Sequence, residues 1–94
     1  MPQIRILSRQ DVARVTCMQD MIACVEEVYR QKALGQTQVW PTTFYEFDPG
    51  HADMDIKSGY LKAPGIFGHK TVSWFGGNSE KGLPELTGAI MVFS

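Results

Sequence analysis

The strongest constraint on the fold of this chain is the order of its patterns: helical periodicity fills the first third, and β-type runs fill the rest. Met18, Met21, Ile22, Val25, Val28 and Tyr29 recur at the spacing of one helix face, and Gln19, Glu26, Glu27, Arg30 and Lys32 hold the other. This predicts an amphipathic helix ending near Leu34, with Gly35 as its left-handed stop. A shorter helix is expected over Arg9 to Val15, because Ser8 and Asp11 have the spacing of a capping box. Thr16 and Gln19 repeat that signal ahead of the longer helix, and Ile4-Arg5-Ile6-Leu7 has short β character. Strands are expected over Thr42 to Phe47, Met54 to Leu61, Gly68 to Phe75 and Thr87 to Phe93. The breaks between them, Asp48-Pro49-Gly50, Lys62-Ala63-Pro64-Gly65 and Gly76 to Gly82, are rich in turn residues.

Helices first and strands afterwards argue against an alternating, doubly wound sheet. The expected class is α+β: two N-terminal helices packed on a mixed or antiparallel sheet of roughly four to five strands, without a Rossmann domain. The 94 residues fit a single domain spanning 1–94. A domain of this size buries only a little over ~60% of its unfolded surface, so its core is expected to be marginal.

Composition removes several function classes. Nine Lys and Arg against ten Asp and Glu leave a formal charge of −1, which provides no field to recruit a polyanion, so nucleic acid is not an expected partner. The stretch Met1 to Leu7 is too short an apolar run for a secretory leader, and no membrane span is indicated, so a cytoplasmic location is expected. Cys17 and Cys24 fall about two helical turns apart, near ~10 Å, beyond the ~7 Å reach of a disulfide, and are expected to be reduced. His51, His69 and the cysteines lack paired ligand spacing, so no metal site is expected. No catalytic residue stands out. Tyr45, Tyr60, Trp40 and Trp74 have no basic stripe beside them and are expected in the core or an interface.

The residues with chemical interest lie on the later strands. Alternation places Lys70, Val72 and Trp74 on one face of their strand and His69, Thr71, Ser73 and Phe75 on the other. An ammonium among large apolar groups needs an anion or a route to water. Lys70 is therefore either a carboxylate binder or a lysine that snorkels or pairs with Asp53, Asp55 or Glu46. Lys57, on a face with Asp55, Gly59 and Leu61, poses the same choice, a solvated strand face being the simpler account. Gly76, Gly77 and Asn78 have no phosphate-loop spacing, so they are expected to form a structural turn that could wall a pocket. In it Gly76 or Gly77 would supply positive φ, and Asn78 would bond to nearby backbone.

Several stretches, in matching order, resemble the ornithine cyclodeaminase and mu-crystallin family. They are Ile4 to Val12, Ala23 to Arg30, Ile56 to Leu61, and Lys70 to Phe75 continuing to Gly82-Leu83-Pro84. The resemblance covers essentially the whole chain but only the family's N-terminal α+β domain, which dimerises and binds substrate. It implies a parent activity of NAD(P)-dependent hydride transfer at a carbon bearing nitrogen. No cofactor-binding residue is expected in this chain, since the family's dinucleotide turn and catalytic acid lie beyond the point matching Ser94. Lys70 matches the lysine set against the substrate carboxylate. Where the family often has arginine two residues after a proline, Pro41-Thr42-Thr43 places Thr43, which offers one hydroxyl instead of a two-pronged guanidinium. The resemblance also implies that segments from the later part of the family's chain complete this domain, leaving a sheet edge or apolar surface open.

The expected function is thus a substrate-binding and dimerisation domain of an amino-acid dehydrogenase or ketimine reductase type protein, inactive alone. The expected partners are a second copy and an amino-acid-like molecule. The alternatives are a free-standing small-ligand-binding or protein-interaction domain that has lost catalysis, and one chain of a split NAD(P)-dependent enzyme whose Rossmann domain is a separate chain.

Overall fold

The computed structural model describes residues 3–94. Met1 and Pro2, part of the stretch read for a leader, lie outside the described residues. Helix α1 covers Arg9–Val15 and α2 covers Met18–Ala33. At the start of α1 the Ser8 hydroxyl accepts from the Asp11 N–H, and the Asp11 carboxylate accepts from the Ser8 N–H, completing the expected capping box. The second cap signal is not used. Cys17 is the N-cap of α2 without a side-chain bond, while the Thr16 hydroxyl turns back to donate to the Val12 carbonyl at 2.8 Å. Thr16 closes the first helix instead of opening the second, a choice that a short hydroxyl side chain leaves to local geometry. Gly35 is left-handed, φ 71°, as expected for the stop after α2.

The strands are β1 (Thr37–Val39), β2 (Thr43–Asp48), β3 (Ala52–Leu61), β4 (Ile66–Phe75) and β5 (Leu86–Phe93), all antiparallel. The sheet runs β1-β3-β4-β5, and β2 also pairs with β3. Ile4 to Leu7 forms no strand; β character alone does not make a strand where no neighbouring ladder is offered.

Strand β1 was not expected, and its relation to β2 explains why. Both pair with β3, β1 against Gly59 to Leu61 and β2 against Ala52 to Ile56. They are two pieces of one strand interrupted at Pro41, which has no N–H to donate to the ladder. Val39 pairs with Gly59 and Thr43 with Ile56, so four steps on one side meet three on the other. One residue is extra, as in a β-bulge. A second irregularity lies between Glu46 and Asp48.

The core is thin. Among the described residues only Ala52 is buried. Helix α2 meets the sheet at β1, and its apolar stripe stays open, with Met21, Ile22 and Val25 47%, 52% and 50% exposed. The chain exposes 8055 Å², whereas a compact monomer of its 10.5 kDa exposes about 5,400 Å². Its radius of gyration is 16.2 Å, against about 12 Å for a compact domain of this length.

Candidate functional site

Residues in register across antiparallel strands share a face, and neighbours along a strand alternate. One face of the sheet carries Trp40, Tyr45, Phe67, His69, Phe75 and Phe93. Its rings touch: Phe67 stacks on Phe93 at 5.0 Å and 9°, and Phe47 on Phe75 at 5.5 Å and 12°. Thr71, Ser73, Thr87 and Ala89 line a shallow hollow on this side, where the Ser73 and Thr87 hydroxyls lie 3.0 Å apart.

The other face holds the charges. Lys70 lies on it with Val72 and Trp74, as alternation requires. Lys57 stands directly opposite Lys70 in the β3–β4 ladder. Asp55 is the next residue of β3 on this face, opposite Val72, and Asp53 and Glu46 face each other beyond it. Both lysines are exposed. Neither makes an ion pair: among the described residues the pairs are Arg14 with Asp11 and Arg30 with Glu27, both on helices. The pairing with Asp53, Asp55 or Glu46 considered for Lys70 is therefore not realised, and Asp55 Oδ1 is buried without a donor. Two ammoniums opposite each other repel, and the carboxylates of this face stand further along it.

Thr43 is not brought to the lysines. It pairs with Ile56, which pairs with Thr71 on the aromatic face. Uninterrupted alternation from Val39 would have put Thr43 on the lysine face; the extra residue at Pro41 shifts the parity and turns it away. The same bulge leaves Lys57 across from Pro41 and Thr42, outside the paired positions of β1 and β2.

The glycine-rich turn corrects one expectation. Neither Gly76 nor Gly77 has positive φ; in this stretch Gly82 does, φ 71°. Gly76 is required for a close approach instead. A Cβ there would stand 2.8 Å from the Trp74 ring and 3.3 Å from the His51 carbonyl oxygen. Gly77 opens a short 3-10 helix over Asn78–Lys81, and Asn78 donates to the Pro84 carbonyl at 3.0 Å, the backbone bond expected of it. This turn braces the end of β4, where the Trp74 indole also reaches Glu85 at 3.5 Å.

The pairing of Lys57 with Lys70 depends on where the β3–β4 turn is centred, which local pattern does not fix. A turn centred on Ala63-Pro64 pairs each β3 residue with the β4 residue equally far beyond it. Asp55 was not legible as a candidate, because a carboxylate in a strand is ordinarily a solvated one.

Comparison with known proteins bears on this site. The chain is 33% identical over 89 residues to alanine dehydrogenase of Archaeoglobus fulgidus, covering 95% of this chain and 26% of the relative. It matches the N-terminal part of the ornithine cyclodeaminase/mu-crystallin family. Among solved structures, an archaeal alanine dehydrogenase dimer with bound NAD superposes with a TM-score of 0.82 at 30% identity, over 94% of this chain and 26% of that one. Thermococcus litoralis Δ1-pyrroline-2-carboxylate reductase, in complex with NADH and L-proline, gives 0.82 at 27% identity, over 92% of this chain and 27% of that one. No protein-family model matches the chain. It thus spans about a quarter of the length of these ornithine cyclodeaminase-like relatives. The described residues form one antiparallel sheet with no parallel βαβ unit, the frame on which such enzymes hold a dinucleotide. No hydride step is assigned to them. No helix among them is long and apolar enough to cross a membrane.

Proposed function

We propose that this chain is the substrate-binding and dimerisation part of an ornithine cyclodeaminase-like protein of the amino-acid dehydrogenase or ketimine reductase type, and that it does not turn substrate over alone. Lys70 binds the substrate carboxylate. The observation that carries this reading is that Lys70 stands exposed in the middle of a strand, without a carboxylate partner, in the segment the family resemblance ties to carboxylate binding. An ammonium there holds an amino acid by a charge-assisted bond and fixes its α-carbon in place. Gly76, Gly77 and Asn78 brace the end of the strand that presents it.

The assembly half rests on area. The roughly 2,600 Å² exposed beyond a compact monomer's share is of the size that obligate interfaces cover. In that reading the aromatic face and the open α2 stripe are covered by a second copy, in a cytoplasmic homodimer or larger assembly.

Titration calorimetry with L-alanine is expected to show binding that Lys70→Gln weakens by about tenfold or more; an unchanged affinity would overturn the substrate role. Light scattering at about 50 µM is expected to report a dimer or larger species, and a monomer would overturn the assembly role. Strand β5 favours a second reading, a protein-interaction domain, since its eight residues are uncharged and exposed along a free edge. Alanine binding that Lys70→Gln weakens separates the two.

A further inference from the structure

We propose that Lys57 and Lys70 act as a pair that selects an amino or imino dicarboxylate: Lys70 takes the carboxylate beside the nitrogen-bearing carbon, and Lys57 takes a second carboxylate at the far end. The inference rests on the substrate-binding reading above and adds the substrate class to it.

Three observations converge on Lys57. It faces Lys70 directly across the β3–β4 ladder. In-register side chains of an antiparallel pair begin about 5 Å apart, so two lysine stems can close on carboxylates separated by two or three carbons. Neither ammonium is neutralised by a carboxylate of the described residues. The nearest acid along the face, Asp55, has one oxygen buried without a partner and does not reach them. A single-carboxylate substrate would pair with Lys70 and leave Lys57 without an ion-pair partner.

The backbone on both sides of the pair is distinctive. On the β2 side, Lys57 meets the bulge at Pro41 and Thr42 instead of a registered neighbour; bulges are concentrated beside sites where a side chain must be re-aimed. On the other side of the two lysines the next pair on this face is Gly59 with Gly68. These positions have no side chain, and a Cβ at either would stand 2.6 Å from the Gln38 carbonyl oxygen or 2.4 Å from that of Met91. The lysine pair therefore borders a stretch of bare backbone, where the neighbouring strands approach too closely for any side chain. Val72, Trp74 and Ile90 supply apolar surface on the same face, which strengthens charge pairing by thinning the water around it.

Calorimetry with three probes tests this: L-aspartate, L-alanine and inorganic phosphate. L-aspartate is expected to bind about tenfold or more tighter than L-alanine, the size of one added charge-assisted contact. In Lys57→Gln, aspartate should lose its advantage over alanine; Lys70→Gln should weaken both. Equal affinities for aspartate and alanine in the unaltered chain, or an aspartate preference that survives Lys57→Gln, would overturn the dicarboxylate assignment while leaving Lys70 as a carboxylate binder. Phosphate binding as tight as aspartate would reduce the pair to a bare anion site and also overturn it. Failure of Lys70→Gln to affect either amino acid, or no binding of either, would overturn the substrate-binding reading itself. Melting temperatures of both variants, expected at or above that of the unaltered chain, separate lost contacts from lost folding.

Discussion

The two faces of this sheet are built from the same strands and differ in every respect that matters for partners. The aromatic face carries stacked rings, Phe47 on Phe75 and Phe67 on Phe93, with threonine and serine hydroxyls between them. The lysine face carries Lys57, Lys70, Asp53, Asp55 and Glu46. Among the described residues the rings stay exposed and the lysines make no ion pair. Rings in stacked pairs want a large apolar partner, whereas opposed ammoniums want a small anion. Period-two alternation lets ten-residue strands meet both needs at once, provided the register does not slip.

The largest test removes that register. Gly68→Ala places a Cβ against the Met91 carbonyl oxygen, at 2.4 Å in the present geometry, and should cost on the order of 1–3 kcal/mol through forced backbone movement. The melting temperature should fall and both faces should fail together; an unchanged melting temperature would show that β4 and β5 part freely. Next, Phe93→Asp puts a charge on the aromatic face at the free edge. It should weaken self-association by about tenfold or more and leave alanine binding unaltered. Sedimentation and calorimetry on the same sample check whether the faces are independent.

A smaller effect separates charge from shape on the lysine face. Lys57→Glu turns a like-charge pair into an opposite one and should raise stability by about 0.2–1 kcal/mol. Added salt should stabilise the unaltered chain at this pair and weaken the variant's gain, because screening acts on both signs. Equal responses to salt would show that the two ammoniums do not feel each other.

The smallest effect lies off both faces. Hydrogen bonds from Arg30 first and Gln31 second hold the Glu27 carboxyl below its usual value of 4.5, down to about 2. A carboxyl depressed in the folded chain stabilises it above pH 4.5, and that contribution is lost as pH falls from there through about 2. Helicity by circular dichroism should therefore decline over that interval, and less so in Glu27→Gln. Asp11 adds to the same trend, since the Ser8 N–H bond, the Ser8 hydroxyl and Arg14 lower its pKa. Loss of both lysine-face and helix signals at one pH would mean that the helices and the sheet are a single cooperative unit.

Much of this was written in local pattern. Helix spans, the capping box and the left-handed Gly35 depend on neighbours three or four positions away, and the structure reproduces each of them. Four strands were placed to within a few residues for the same reason. The misses have longer reach. Strand β1 escaped notice because Pro41 cuts it from β2, and only pairing with β3 reveals the two as one interrupted strand. Gly76 looked like a backbone-freedom glycine, yet it is small because the Trp74 ring lies over it.

The sequence alone determined which residues alternate along each strand, and so put Lys70 with Val72 and Trp74, and Lys57 with Asp55. Alternation is a property of one strand's geometry and needs no partner. Only the tertiary structure decided that those two sets form a single face, that the lysines stand opposite each other, and that Thr43 does not join them. Each of these depends on register between strands, which hydrogen-bond pairing and a one-residue bulge set.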